Sequence, residues 1–156
     1  MTHHSTRLDP KQFAQDPCRF LDHAIKEYVA VSPLNCLTTF NNAPFFDEPV
    51  VAFADGDDAI FQDFKTVIGD FHFTPREALE MHVRAKGWKL GVKSHIENVG
   101  VISYALPLSY ETRLSERRTP YGGSPRYNHT RWRGETFFRS LSHYISSILE
   151  AMGYHA

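Results

Sequence analysis

Two stretches of this chain read as strands, 50–54 (V-V-A-F-A) and 99–106 (V-G-V-I-S-Y-A-L), and the segments around them read as helices and turns. The first is a continuous apolar run of the kind found in buried strands, and Pro107 closes the second. Strands separated by helices predict an α/β layer arrangement, with α+β as the alternative. Two short strands make a thin sheet for a finished domain. The expectation is a partial unit, or one completed by a partner chain.

Four helices follow from local signals. Asp16-Pro17 is a cap followed by proline at the first helical position, and Phe20, Leu21, Ala24, Ile25, Tyr28 and Val29 recur at helical spacing, which predicts a helix over 17–30. Ser32-Pro33 ends it. A polar, turn-rich stretch covers 34–48. Asp55-Gly56-Asp57-Asp58 reads as a turn and cap before a second helix carrying Ile60, Phe61, Phe64, Lys65 and Ile68 and ending at Gly69. Thr74-Pro75-Arg76-Glu77 has the form of a capping box, and its helix is expected to stop at Gly87. The last helix is placed over 131–152, with Phe137, Leu141, Tyr144, Ile145, Ile148, Leu149 and Met152 as one apolar stripe facing the core. Residues 1–15 read as a flexible lead-in, 16–156 as a single, incomplete α/β domain, and 109–131 as a long loop. The final helix is closed by Gly153 where a following strand would be expected, so the segment reads as the front of a larger α/β enzyme.

Composition narrows the function. A net charge of −1 argues against a general nucleic-acid or membrane binder. No apolar run approaches the roughly 18 residues of a membrane span, and the first residues, M-T-H-H-S-T-R, do not have the form of a secretory signal. Two cysteines, Cys18 and Cys36, are too few for a disulfide scaffold, which favours a cytoplasmic setting with reduced thiols. Nine histidines are many, but they show no metal-ligand spacing, and Asp55, Asp57 and Asp58 do not follow a calcium-loop pattern. No metal site is expected.

The ordered blocks S-P-L-N at 32–35, F-D-E-P-V-V-A-F-A-D-G-D-D at 46–58, H-F-T-P-R-E at 72–77, V-I-S-Y-A-L-P at 101–107, Ser124-Pro125, His129-Thr130-Arg131 with Gly134-Glu135, and Gly153-Tyr154 resemble the front of the epoxyqueuosine reductase-like iron–sulfur proteins, more distantly the reductive dehalogenases. The resemblance covers about residues 20–156. It implies a nitroreductase-like α/β architecture and, for the whole family, two [4Fe–4S] clusters with cobalamin in the better-understood relatives. Such clusters take thiolates in a C-x-x-C-x-x-C-x-x-x-C-P run. This chain has no such run, and so carries no cofactor of its own in this reading. A second polypeptide or downstream domain would bring the clusters. The expected role is a scaffold lining part of a cofactor or substrate cleft, silent alone.

One feature supports a different class. Arg113, Arg117, Arg118, Arg126, Arg131 and Arg133 place six guanidinium groups within 21 positions. Arginine's planar fork suits phosphate and carboxylate, and Tyr121, Tyr127 and Trp132 interleave with the arginines as stacking partners for a ring or RNA base. His129, Thr130, Arg131 and Glu135, beside a helix start with free amides, form the expected centre of a small-anion or RNA site. The competing expectation is a solvated loop with pairs to Glu111, Glu116 and Glu135, capping by Thr130 and an Arg131–Glu135 ion pair.

Overall fold

The computed structural model describes residues 9–90 and 96–156. In chain order they form α1 (Pro10–Gln15), α2 (Pro17–Val31), a 3-10 turn (Thr38–Phe40), β1 (Val50–Asp55), α3 (Ile60–Val67), α4 (Pro75–Leu90), β2 (Gly100–Ala105), α5 (Tyr110–Arg117) and α6 (Pro125–Ala151). The two strands pair antiparallel, with Val51 opposite Tyr104 and Phe53 opposite Ile102. This is a small fold of the α/β–α+β kind: an antiparallel ribbon with helices against one face.

Period-two alternation decides which face is covered. Val51, Phe53, Ile102 and Tyr104 pack onto α2 and α6. Val50, Ala52, Ala54, Ser103 and Ala105 point the other way and are exposed. The core lies between α2, α6 and the inner face of the ribbon. Ile25, Val29, Leu37, Phe45, Phe46, Phe137, Leu141 and Ile145 form one cluster. Phe13, Phe20, Leu21, Ala24 and Ile148 form a second beside it.

The helix over 17–30 and both strands fall where the sequence predicts them, and the apolar stripe of the last helix is core. Four boundaries differ. Residues 10–15 are a helix rather than a loose lead-in: Asp9 accepts from the Lys11 N–H, and Phe13 is buried against the Phe20 and Tyr154 rings. Residues 1–8 lie outside the described residues. α4 runs through Gly87, because one glycine costs a helix about 1 kcal/mol and does not by itself end it. The 109–131 loop contains α5 and the first turns of α6. α5 escapes hydrophobic periodicity because its buried residue is Thr112, a polar one. α6 starts at Pro125, capped by the Ser124 hydroxyl, which accepts from the Tyr127 N–H at 3.2 Å. At its other end Gly153 takes φ +90°, and the Tyr154 N–H reaches the Leu149 carbonyl, a left-handed stop that β-carbons disfavour. The mid-helix Gly134 has another cause: a Cβ there would meet the Phe46 ring at 3.3 Å.

Asn35 holds the turn-rich 34–48 stretch against the core. Its amide donates to the carbonyls of Val29 (3.0 Å) and Phe46 (3.1 Å), and its oxygen accepts from the N–H groups of Phe45 (2.9 Å) and Phe46 (3.0 Å). That uses its whole hydrogen-bonding capacity inside the protein. Below it, the Leu37 N–H bonds the Ala43 carbonyl and Asn41 and Asn42 adopt left-handed backbone, closing a small loop with Phe40 at its tip. The 45–47 segment pairs with 107–109 through Asp47 to Pro107 and Ser109 to Phe45, so the same stretch sets where α5 begins.

Asn35→Ala leaves two buried N–H groups and two carbonyls without partners, so urea unfolding should show a loss of about 2–4 kcal/mol. Asn35→Asp should also destabilise, because it replaces both donors with acceptors. A loss under about 0.5 kcal/mol for both variants would remove Asn35 from this role.

Candidate functional site

The predicted site residues divide over three surfaces. Arg126, His129 and Arg133 lie at i, i+3 and i+7 on α6 and therefore share one face. That face leans on the 38–40 turn. The Arg126 guanidinium sits 5.2 Å from the centre of the Phe40 ring, and His129 meets the same ring edge-on at 5.8 Å. Arg133 donates from Nη1 to the Thr38 hydroxyl at 3.1 Å. The Nε of Arg126 donates to the hydroxyl of Thr112 at 3.4 Å, and Thr112 is in turn bonded to Ser109.

Arg131 and Glu135 are exposed and lie off this face. The expected Arg131–Glu135 pair does not form: Glu135 bonds Arg139 one turn on, at 3.2 Å. Thr130 does not cap the helix. It is buried inside α6 and its hydroxyl donates to the Arg126 carbonyl. Since the helix begins at Pro125, no free amides surround Thr130. The real N-terminus is occupied by the Ser124 hydroxyl and by the Glu116 carboxylate, which accepts the Ser124 N–H at 2.7 Å. Arg117 and Arg118 are exposed at the end of α5. Tyr121 and Trp132 are 92 % and 80 % exposed, and Trp132 lies at i+3 from His129 on α6.

Of the acidic neighbours expected to neutralise the arginines, Glu116 serves the helix cap and Glu135 serves Arg139, while Arg113 pairs with Asp47 at 3.4 Å, a partner outside that expectation. Among the described residues no ion pair links a carboxylate to Arg126 or Arg133. Thr38, Phe40 and Thr112, which shape this face, carry no sequence signal of their own: they reach α6 only through the folding of the 34–48 loop and α5.

A second polar site lies at the end of the ribbon. A cavity of about 300 Å³ is lined by Asp57, Phe61, Arg76, Glu77 and Glu80 among others. Arg76 grips Asp57 through Nε and Nη2 and also donates to the carbonyls of Ile96 and Glu97, tying the start of α4 to both strand ends. Glu77 completes the expected capping box with Thr74 and accepts from Lys65 at 2.6 Å. The three aspartates of the 55–58 turn are all used: Asp55 accepts from the Asp57 N–H, Asp58 from the Ile60 N–H, and Asp57 holds Arg76.

Among the described residues no group of three histidine, cysteine or acidic side chains is placed to hold a metal ion. His3, His4 and His95 lie outside them. Cys18 is exposed, and the half-buried Cys36 thiol lies near Asn42, so this chain's two thiols do not fit a four-thiolate iron–sulfur cluster. No described helix is long and apolar enough to cross a membrane. No protein family, curated protein or solved structure matches this chain.

Three carboxyls are held below the ordinary carboxylate range by hydrogen-bonded cations: Asp57 by Arg76, Glu77 by Lys65 and then the Thr74 N–H, and Glu150 on α6 by Lys86 on α4. A carboxyl lowered in the folded state adds stability above its unfolded pKa and loses it as pH falls through the folded one. Stability should therefore hold from neutrality to about pH 5 and decline below about pH 4. In urea melts across that range, Asp57→Asn with Glu77→Gln should flatten the decline. An unchanged profile would show that these pairs do not govern it.

Proposed function

We propose that this chain is the N-terminal α/β segment of an epoxyqueuosine reductase-like iron–sulfur oxidoreductase of the cytoplasm. It supplies scaffold and part of a cofactor or substrate cleft and is catalytically silent alone. The [4Fe–4S] clusters, and cobalamin where used, belong to a second polypeptide or a further domain. The observation that carries this reading is the amount of apolar surface left uncovered. Between Ile60 and Met81, seven large apolar side chains (Ile60, Phe64, Val67, Ile68, Phe71, Phe73 and Met81) are 38–81 % exposed. At roughly 150–250 Å² for a large aromatic side chain, these sum to on the order of 800 Å², about one partner's share of a standard interface. α3 buries none of its residues, and the outer face of the ribbon is bare as well.

The blocks that carry the family resemblance also support the reading, because they include the residues that hold this fold: Asn35, the Asp57–Arg76 clamp, the Thr74–Glu77 box and the Ser124-Pro125 cap.

A second reading is favoured by one observation, the face of α6 where Arg126 and Arg133 have no carboxylate partner among the described residues. In it the chain is a binding module for an anionic ligand or RNA.

The purified chain should reduce no substrate with an artificial electron donor, and anaerobic treatment with iron and sulfide should yield no cluster absorbance. Activity from the chain alone would overturn the silent-segment reading. The DNA beside the coding sequence gives the positive test: a frame with ferredoxin-spaced cysteines is expected, and its absence would remove the chemistry from this proposal.

A further inference from the structure

We propose that the apolar face of α3 seats one amphipathic helix of the partner polypeptide, a helix with lysine or arginine beside its apolar stripe. This rests on the reading, above, of the 60–81 surface as an interface. α3 carries its apolar stripe on the outside. Ile60, Phe64, Val67 and Ile68 fall at i, i+4, i+7 and i+8, one side of a helix, and all four are exposed. The stripe continues past the helix end. Gly69 takes φ +139° and lets the Phe71 ring lie over it, where a Cβ would come within 2.6 Å of that ring. The His72 ring stacks on Phe64, with centroids 6.3 Å apart. At the far edge of this continuous surface Val67 and Phe71 are 81 % and 77 % exposed.

Charge selects the partner. Residues 55–80 contain seven carboxylates and two cations, in a chain with 18 acidic and 17 basic residues in all. Both cations are engaged internally, Lys65 with Glu77 and Arg76 with Asp57. Asp63 lies at i+3 from Ile60 and four residues before Val67, and Asp70 directly precedes Phe71, so both border the apolar stripe. Both are exposed, and among the described residues no ion pair engages either carboxylate. A basic rim on the partner neutralises them. A second copy of this chain does not, because a two-fold contact through this face sets like charges against each other. Backbone chemistry selects a helix as the occupant. α3 satisfies its own interior N–H and C=O groups, so an extended segment laid on it would bury backbone without partners, whereas a helix brings its own. The eight residues of α3 span about 12 Å, roughly two turns of an incoming helix.

The test is fluorescence anisotropy with the full chain and three labelled synthetic peptides of equal length. One is a helix with a leucine stripe and lysines elsewhere, one replaces the lysines with glutamates, and one scrambles the lysine peptide so that no stripe forms. The striped lysine helix should bind at least about 10-fold more tightly than either control. Val67→Ser and Phe71→Ser should each weaken it about 10-fold, the factor for one large apolar side chain leaving an interface. Both side chains are exposed, so these changes leave the fold intact, which an unchanged urea midpoint checks. Asp63→Lys with Asp70→Lys should weaken binding about 5-fold and flatten its salt dependence. Trp132→Ser, at an equally exposed aromatic on α6, should leave it unaltered. Absence of binding, equal binding of all three peptides, or binding indifferent to Val67 and Phe71 would overturn the site. Tighter binding of the glutamate helix would overturn the charge assignment. A purified chain that sediments as a dimer, and as a monomer after Val67→Ser, would give this face to a second copy instead. None of these measurements involves iron or sulfide. A chain that reduces substrate alone would therefore remove the silent-segment reading and leave this surface standing, and loss of stripe-selective binding would do the reverse.

Discussion

The four hydrogen bonds of the Asn35 side chain are the interaction on which the rest of this structure depends. The 34–48 stretch has little regular structure of its own, so its buried backbone groups need partners from elsewhere. Asn35 supplies them, fixing Phe45 and Phe46 against α6 and the core. From that position the chain can pair with 107–109, start α5 and place Thr38 and Phe40 against α6. The ribbon, the short helix and the arginine face are all downstream of one amide.

The protein is organised unevenly around that hub. α2, α6 and the inner ribbon face bury aromatic and aliphatic side chains in two touching clusters. α3 and α4 carry several polar links: Arg76 to Asp57 and two carbonyls, Lys65 to Glu77, and, near the end of α4, Lys86 to Glu150. Exposed ion pairs contribute little each. The segment with the greatest apolar exposure is thus held by comparatively weak, pH-sensitive contacts.

Much of the local structure could be read from one recurrent signal. Asp9-Pro10, Asp16-Pro17, Thr74-Pro75 and Ser124-Pro125 each pair a capping side chain with proline, and each opens a helix. Reading that signal only at Asp16 and Thr74 explains why α1 and the start of α6 went unanticipated. α5 was not legible in the same way, since it buries a threonine and begins where the 45–47 segment holds Ser109.

The sequence by itself determined the starts of α2 and α4, the two strands, the core stripe of α6 and the concentration of arginines, because capping, periodicity and charge are local properties. Tertiary structure decided which arginines share a surface. Arg131 and Glu135 are neighbours by spacing, yet Glu135 turns to Arg139. Arg126 and Arg133 are held by Thr112, Phe40 and Thr38, residues brought to them by distant parts of the chain. The antiparallel pairing of the strands and the bare outer face of the ribbon were likewise settled only in three dimensions, since contact between distant segments depends on how the intervening chain packs.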